Sequence, residues 1–196
     1  MRPRDETKIE SIFKATIELT GAVGISGLKM SNIAKKAGLA SGTVYLYFKN
    51  KEKLLNEVYK YLKSDASKAT LVDVTGMEIK DQLRVLWDRT IRYRAAHHAE
   101  LIFMEQFVVS PYVTKESKKV SETYLQFISG ILEEGRRKKE LKNTDASILL
   151  PFLSGYARDL TTAMVSRNQA PTDDIIEQSF EICWDAISLK QENKNN

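Results

Sequence analysis

The chain has 196 residues, of which 42% are hydrophobic and 29% are charged, with only four prolines and nine glycines. This composition excludes a disordered chain and favours a globular, mostly helical protein. Residues 1–60 carry eleven Lys or Arg and six Asp or Glu, whereas the remaining 136 residues carry nineteen and twenty. A basic segment beside a nearly neutral one favours a polyanionic partner, although a solvated helix surface explains the charge equally well.

Neither export nor membrane insertion is expected. The one cysteine, Cys183, cannot form an internal disulfide, which fits a reducing cytoplasm. The first twenty residues mix charged and apolar positions, and no apolar run approaches the roughly 20 residues of a membrane helix. We therefore expect a cytoplasmic protein without a membrane partner.

Hydrophobic periodicity predicts an all-α chain of about nine helices and no strands. Gly24 and Gly38 are expected to end the first two helices, and Asn50 to cap the fourth. Residues 70–77 are the clearest linker, and residues 192–196 form a polar tail that we expect to fray. The predicted helices are 5–23, 30–37, 41–48, 51–69, 78–96, 97–109, 114–139, 144–167 and 172–191.

Residues 33–51 carry the most informative pattern, two short helices joined by a tight turn at Gly38. The second helix would bury Val44 and Phe48. Its other face would show small residues, hydroxyls and aromatic rings but no carboxylate, whereas a solvated helix usually shows Glu and Lys. This face predicts a helix that enters a phosphate-lined groove of DNA. The alternative is a helical hairpin whose tyrosines cover a core.

The groups on this face have matching partners on a DNA duplex. Thr43 and the tyrosine hydroxyls can bind phosphate oxygens. Leu46 can contact a thymine methyl, and Ser41 or Thr43 can reach base edges. Lys51 begins the long helix, where free N–H groups also favour a phosphate. The flanking cations are Lys35, Lys36, Lys49, Lys51 and Lys53.

The string IAKKAGLASGTVYLYFKNKEKL, within residues 12–54, resembles the DNA-binding signature of TetR-family regulators. The resemblance implies a three-helix DNA-binding domain with a helix-turn-helix over residues 1–53. It also implies a larger helical domain for ligand sensing and dimerisation over residues 54–196. The small core that it implies consists of Ile33, Ala34, Ala37, Leu39, Val44 and Phe48. The DNA-facing residues that it implies are Ser31, Ser41, Gly42, Thr43, Tyr45, Leu46, Tyr47 and Lys51.

Three positions depart from the family pattern. Lys29 and Ala40 stand where the family usually has a capping Thr or Ser, and each loss costs up to about 1 kcal/mol of helix stability. Ser41 is a candidate for capping one residue late. Thr20 stands where the family often has an aromatic residue. These departures bear on detailed contacts more than on the fold.

Beyond residue 85, most aromatic side chains are expected to belong to the core. The resemblance implies that some of them line a pocket between helices, and aromatic rings with a few polar groups suit a small, largely apolar effector. The candidates for this ligand pocket are Trp87, Phe103, Phe107, Phe127, Phe152 and Tyr156.

The last two helices carry apolar stripes that would cover one another only in part. The resemblance implies that the pair packs against its copy in a homodimer. DNA binding favours a dimer independently, because one recognition helix contacts few bases and two half-sites supply the affinity. The candidate interface residues are Leu153, Leu160, Met164, Ile176, Phe180 and Trp184.

No pattern predicts catalytic residues, a cofactor or a metal site. His97 and His98 are adjacent and lack the i, i+4 spacing of a helical metal pair, so we interpret them as a helix-junction pair. Arg158 and Asp159 are expected to form a surface or interface ion pair; the alternative is that either one meets a polar group of the ligand.

The resulting hypothesis is a transcriptional repressor that recognises a near-palindromic DNA operator in a sequence-specific way. A small molecule would release it from half-sites about 34–36 Å apart. The alternatives are a transcriptional activator and a DNA-binding protein that responds to no ligand. A helical enzyme lacks support, since no nucleophile–base pair and no phosphate-binding glycine loop is visible.

Overall fold

The computed structural model describes residues 5–189, and within this range the prediction of an all-α chain with nine helices is confirmed. The only pairing of the β type among the described residues is one bridge between Leu141 and Ser188. The predicted tail and the last two residues of the predicted ninth helix lie outside the described residues. The helices are α1 (Glu6–Gly27), α2 (Met30–Lys36), α3 (Ser41–Tyr47), α4 (Lys51–Thr70), α5 (Ile79–Ala96), α6 (His98–Val108), α7 (Lys115–Arg137), α8 (Ala146–Ser166) and α9 (Asp173–Ile187).

Local sequence explains where several helices begin and end. Asn50 Oδ1 accepts a hydrogen bond from Lys53 N at 2.8 Å, so the predicted cap of α4 is confirmed. Gly38 has a φ of 70°, which glycine adopts without steric cost, and it ends α2 as expected. Gly24 interrupts α1 with a φ of 66°, but the helix resumes for one turn and ends at Gly27. The predicted end of the first helix is therefore a kink.

Two short helices lack side-chain caps. The residues in the N-cap positions of α2 and α3 are Lys29 and Ala40, and neither makes a side-chain cap hydrogen bond. The expectation that Ser41 caps one residue late is wrong, because Ser41 is itself the first residue of α3. Packing holds these helices instead. Val44 and Phe48 are buried as predicted, and the Phe48 ring lies 5.8 Å from that of Phe13.

The described residues form two compact units. The first unit comprises residues up to 65 together with 97–121, and it contains α1, α2, α3 and α6. Its largest fully buried side chains include Ile12, Ile33, Phe103 and Phe107. Burial of such side chains contributes about 1.5–3 kcal/mol each, which supplies the stability that the missing caps do not.

The second unit comprises residues 66–96 and residues from 122 onward, and it contains α5, α8 and α9. Its core residues line the facing sides of these helices and of the end of α7, and include Ile79, Ile91, Leu132, Leu149 and Phe180. Inside it, Trp87 Nε1 donates to Ser179 Oγ at 2.9 Å. Helices α4 and α7 contribute residues to both units. None of the described helices combines the length and apolarity that crossing a bilayer requires.

Candidate nucleic-acid interface and ligand region

Helix α3 displays the face that the sequence predicts. Val44 and Phe48 anchor the helix to the core of the first unit, so the opposite side is left open. Leu46 is 85% exposed and Tyr45 is 52% exposed. Ser41 and Gly42 are also exposed, as is Ser31 on α2, whereas Thr43 and Tyr47 are half-buried. Tyr45 therefore does not cover a core, whereas the alternative of a structural hairpin requires that the tyrosines do so.

The electrostatics around α3 are positive. Between Glu18 and Glu52 the chain has no acidic residue. Lys35 and Lys49 are exposed, and neither forms an ion pair with any residue that the structure describes. A face without carboxylates between unpaired cations suits the phosphate backbone of DNA.

Two of the predicted flanking cations are paired within the chain. Lys36 Nζ lies 2.9 Å from Glu18 Oε2, and this hydrogen bond holds the pKa of Glu18 below its ordinary value. Lys53 Nζ lies 2.8 Å from Glu57 Oε1. Both pairs are exposed enough to be weak, so either lysine can exchange its carboxylate for a phosphate at little cost.

Lys51 is placed differently from the other predicted DNA-facing residues. It is half-buried, and its Nζ donates to the carbonyl oxygen of Ser26 at 3.2 Å. The same Nζ lies 4.9 Å from the centroid of the Tyr112 ring. The ammonium group thus already has an acceptor and an aromatic face within the first unit.

Sequence reasoning missed two buried or half-buried polar side chains near Lys51. Asn56 on α4 is 3% exposed and makes hydrogen bonds to the loop between α6 and α7. Gln106 on α6 accepts a hydrogen bond from Ile25 N at 3.0 Å, next to the kink at Gly24. No local pattern marks either residue, because their partners lie 56 to 81 positions away.

The structure brings together some of the predicted ligand residues. In the second unit the Trp87 and Tyr156 rings stack with centroids 5.7 Å apart. Phe127 is partly buried against the same core, whereas Phe152 is 41% exposed. Burial of Tyr156 raises the pKa of its hydroxyl, so the group is neutral at physiological pH and can serve as a hydrogen-bond donor.

Phe103 and Phe107 belong to the first unit and are fully buried. Their rings stack with centroids 6.0 Å apart, and the centroid of the Tyr59 ring lies 4.7 Å from that of Phe107. These rings serve the core of the first unit. In the second unit an open groove is lined by the charged residues Glu133, Glu134, Arg136 and Arg137, and none of the six predicted ligand residues lines it.

The predicted interface residues divide by burial. Met164, Ile176 and Phe180 are almost fully covered by the chain's own residues, whereas Leu153, Leu160 and Trp184 are half-buried. The same two helices also carry exposed apolar side chains that are not among the predicted interface residues. On α8 these are Ile148 and Phe152, four residues apart, and on α9 the most exposed is Ile182.

No metal centre is formed by the residues described, among which no group of three or more His, Cys, Asp or Glu could hold an ion. His97 occupies the N-cap position of α6 and His98 is its first residue, so the interpretation as a helix-junction pair is confirmed. Arg158 Nε lies 2.9 Å from Asp159 Oδ1 in the exposed ion pair that the sequence suggested.

The described residues are all-α, with two short helices in a helix-turn-helix, and the second of these helices has an open face without carboxylates that lysines flank. These features define a helix-turn-helix regulator. A family model of bacterial regulatory proteins of the TetR family matches residues 12–58. A model of the tetracyclin repressor-like C-terminal domain matches residues 52–189. The chain belongs to the TetR family of transcription regulators.

Relatives and solved structures agree with this assignment. The fatty acid metabolism regulator protein of Bacillus subtilis is 28% identical over 167 residues, which cover 83% of this chain and 86% of the relative. A TetR-family regulator from Marinobacter aquaeolei has a TM-score of 0.85 at 26% identity, covering 96% of this chain and 99% of its own. The regulator FadR from Bacillus subtilis, solved in complex with stearoyl-CoA, has a TM-score of 0.67 at 26% identity, covering 89% and 95%.

Proposed function

We propose that the chain is a cytoplasmic, homodimeric repressor, not an enzyme, whose α3 lies in the major groove of a near-palindromic operator. In this proposal residues 1–53 form the DNA-binding domain, and residues 54–196 sense the ligand and dimerise. The observation that carries the proposal is the exposed face of α3, which has no carboxylate. Lys35 and Lys49 flank this face and form no ion pair with any residue in the described part of the chain.

The DNA-facing residues divide by what they would contact. Thr43, Tyr45 and Tyr47 would donate to phosphate oxygens and hold the helix in place on any sequence. Leu46 would contact a thymine methyl, and Ser41 would reach a base edge, so these two would set the preferred sequence. Gly42 allows close approach, and Ser31 would touch the backbone from α2. Lys51 would contribute its main-chain N–H at the start of α4.

The proposed dimer forms through α8 and α9. Leu153, Leu160 and Trp184 retain exposed area, and the exposed side chains of Ile148, Phe152 and Ile182 extend the apolar surface. Beneath them, Met164, Ile176 and Phe180 would support this surface from within the chain. Covering exposed apolar area from both copies is the driving force that such an interface needs.

The proposed effector is a long-chain fatty acyl thioester of coenzyme A. The support comes from the likeness to the fatty acid metabolism regulator of Bacillus subtilis and to FadR with stearoyl-CoA. Trp87, Phe127, Phe152 and Tyr156, all in the second unit, remain the proposed ligand residues. Such a ligand can release DNA only by binding the DNA-free conformation more tightly than the DNA-bound one.

Selection of bound duplexes from random DNA tests the DNA-binding proposal. The expected result is an inverted repeat whose half-sites lie one helical turn apart. Absence of any enriched sequence would contradict it, as would a single asymmetric site.

Matched variants then test the face itself. Tyr45→Phe should weaken binding to every sequence, whereas Tyr61→Phe should not, although the two tyrosines are 52% and 53% exposed. Leu46→Ala should change the selected sequence, and Leu125→Ala, another exposed leucine, should leave it unchanged. Equal effects within either pair would place the DNA elsewhere.

Titration of stearoyl-CoA into the operator complex tests the effector. Release of DNA, together with a raised melting temperature of the free protein, is the expected result. A raised melting temperature without release would exclude stearoyl-CoA as the releasing effector, and no effect of either kind would favour a regulator that responds to no such ligand. A reporter gene behind the selected operator distinguishes repression from activation.

A further inference from the structure

Tyr112 is held from two sides by residues of α4. Its ring lies 4.9 Å from Lys51 Nζ, and its carbonyl oxygen accepts a hydrogen bond from Asn56 Nδ2 at 2.7 Å. Tyr112 lies in the loop between α6 and α7, which is therefore fixed to the first two turns of α4. The Oδ1 of Asn56 extends the connection by accepting hydrogen bonds from Thr114 N and Ser117 Oγ.

The same lysine reaches the end of α1. Lys51 Nζ donates to the carbonyl oxygen of Ser26 at 3.2 Å, two residues after the kink at Gly24. On the same side of this kink, Gln106 of α6 accepts a hydrogen bond from Ile25 N at 3.0 Å. The last turn of α1 thus has one hydrogen bond to α4 and one to α6.

We propose that Lys51, Tyr112, Asn56 and Gln106 form an internal clasp that positions the helix-turn-helix module for operator binding. In this clasp the ammonium group of Lys51 is a positioning group and does not bind a DNA phosphate. The inference rests on the proposed function, because it concerns how the module is held when it meets an operator.

The clasp acts by limiting how the module moves. Helices α1, α2 and α3 follow one another with short connections, so fixing the last turn of α1 limits the freedom of α3. A module that is already ordered loses less conformational freedom when it binds DNA, and its affinity is correspondingly higher. Since α4 and α7 run on into the second unit, a shift of either helix would reach α1 through Lys51 and Tyr112.

A double-mutant cycle on the selected operator tests the clasp. Lys51→Met removes the cation–π contact and the hydrogen bond to Ser26, and Tyr112→Leu removes the cation–π contact. Each variant should weaken binding by about threefold to tenfold. The operator affinity of the double variant should be about equal to that of the single variant that binds more weakly, because either change alone already opens the clasp. Tyr112→Phe keeps the ring and should bind like the wild type. Additive losses would overturn the proposal, as would Tyr112→Phe behaving like Tyr112→Leu.

The salt dependence of operator binding separates positioning from phosphate contact. The slope of log K against log salt is negative, and removing a cation that binds a phosphate lowers the magnitude of this slope by about 0.9. If the clasp exists, Lys51→Met weakens binding but leaves this slope within about 0.3 of the wild type; a fall of about 0.9 would assign the ammonium to a phosphate. As a control, the circular dichroism spectrum of each variant should match that of the wild-type protein. If the wild-type protein selects no operator, the proposed function itself has failed. The affinities and salt slopes of the variants are measured on a selected operator, so they test only the clasp.

Discussion

Replacing Asn56 with Leu should destabilise the folded protein by about 3 kcal/mol. Asn56 is nearly inaccessible to water and joins α4 to the segment that starts α7. Its Nδ2 donates to the carbonyl oxygens of Glu52 and Tyr112, at 2.8 and 2.7 Å. Its Oδ1 accepts from Thr114 N at 3.2 Å, Thr114 Oγ1 at 2.9 Å and Ser117 Oγ at 2.6 Å.

The size of the stability loss depends on which hydrogen-bond partners of Asn56 can form another hydrogen bond in the variant. The carbonyl of Glu52 lies within α4 and keeps its helical hydrogen bond. The hydroxyls of Thr114 and Ser117 lie 3.4 Å apart and can pair with each other. Tyr112 O and Thr114 N are left without their Asn56 partner. Two such groups cost about 1–3 kcal/mol each, and the added apolar surface of Leu offsets part of this.

Urea unfolding at one fixed protein concentration is the appropriate assay, since the stability of the proposed dimer would depend on concentration. A loss of about 3 kcal/mol corresponds to a fall of about 6–12 °C in the melting temperature of a chain of this size. Thr20→Val is the matched control. Thr20 is fully buried, but among the described residues its hydroxyl bonds only to Thr16 O within α1, so the expected cost is below about 1 kcal/mol. Equal costs for the two variants would refute the argument that Asn56 is a junction between elements.

Three further predictions concern single sites. Gly24→Ala should destabilise the protein by about 1–3 kcal/mol, because the φ of 66° at this position strains any side chain. Gly21→Ala, in the regular part of α1, should instead stabilise the protein slightly. Thermal melts that show equal effects would contradict the kink. Burial raises the pKa of Cys183 to about 12, so its thiol should react with a disulfide reagent at pH 8 only after unfolding, and a fast native reaction would place it at the surface. Ile182→Glu should yield monomers in size-exclusion chromatography while Leu125→Glu leaves the dimer intact, and an intact Ile182→Glu dimer would remove α9 from the interface.

The helical framework could be predicted because its signals are local. Asn50 caps α4 through a residue three positions away, and Gly38 ends α2 through its own backbone conformation. The burial of Val44 and Phe48 follows from helical periodicity, which leaves the remaining face of α3 for function. The fold and the exposed face of α3 were therefore accessible from sequence alone.

The place of the Lys51 ammonium could not be predicted, because it depends on two distant parts of the chain. Its acceptor is 25 residues earlier and the aromatic ring is 61 residues later. From sequence, a lysine at the start of a helix beside a helix-turn-helix indicates phosphate binding. Only the tertiary structure shows that the kink in α1 brings the Ser26 carbonyl within reach.

Helical periodicity also does not indicate which apolar side chains pack within the chain and which remain for contact with a partner. The stripes of α8 and α9 wrap more than one face, so Met164 and Phe180 satisfy the pattern as well as Ile182 does. The structure places the first two in the core and leaves Ile182 exposed. Distinguishing self-contact from partner contact needs the positions of neighbouring helices, which a single stripe does not encode.

Protection of guanine N7 from methylation by dimethyl sulfate tests the central claim most directly. N7 of guanine lies in the major groove, and adenine N3 lies in the minor groove, so one reagent reports on both. If α3 lies in the major groove of a two-fold operator, guanines should be protected in two symmetric clusters about 10 base pairs apart. Protection confined to adenine N3, or to one cluster, would contradict the account.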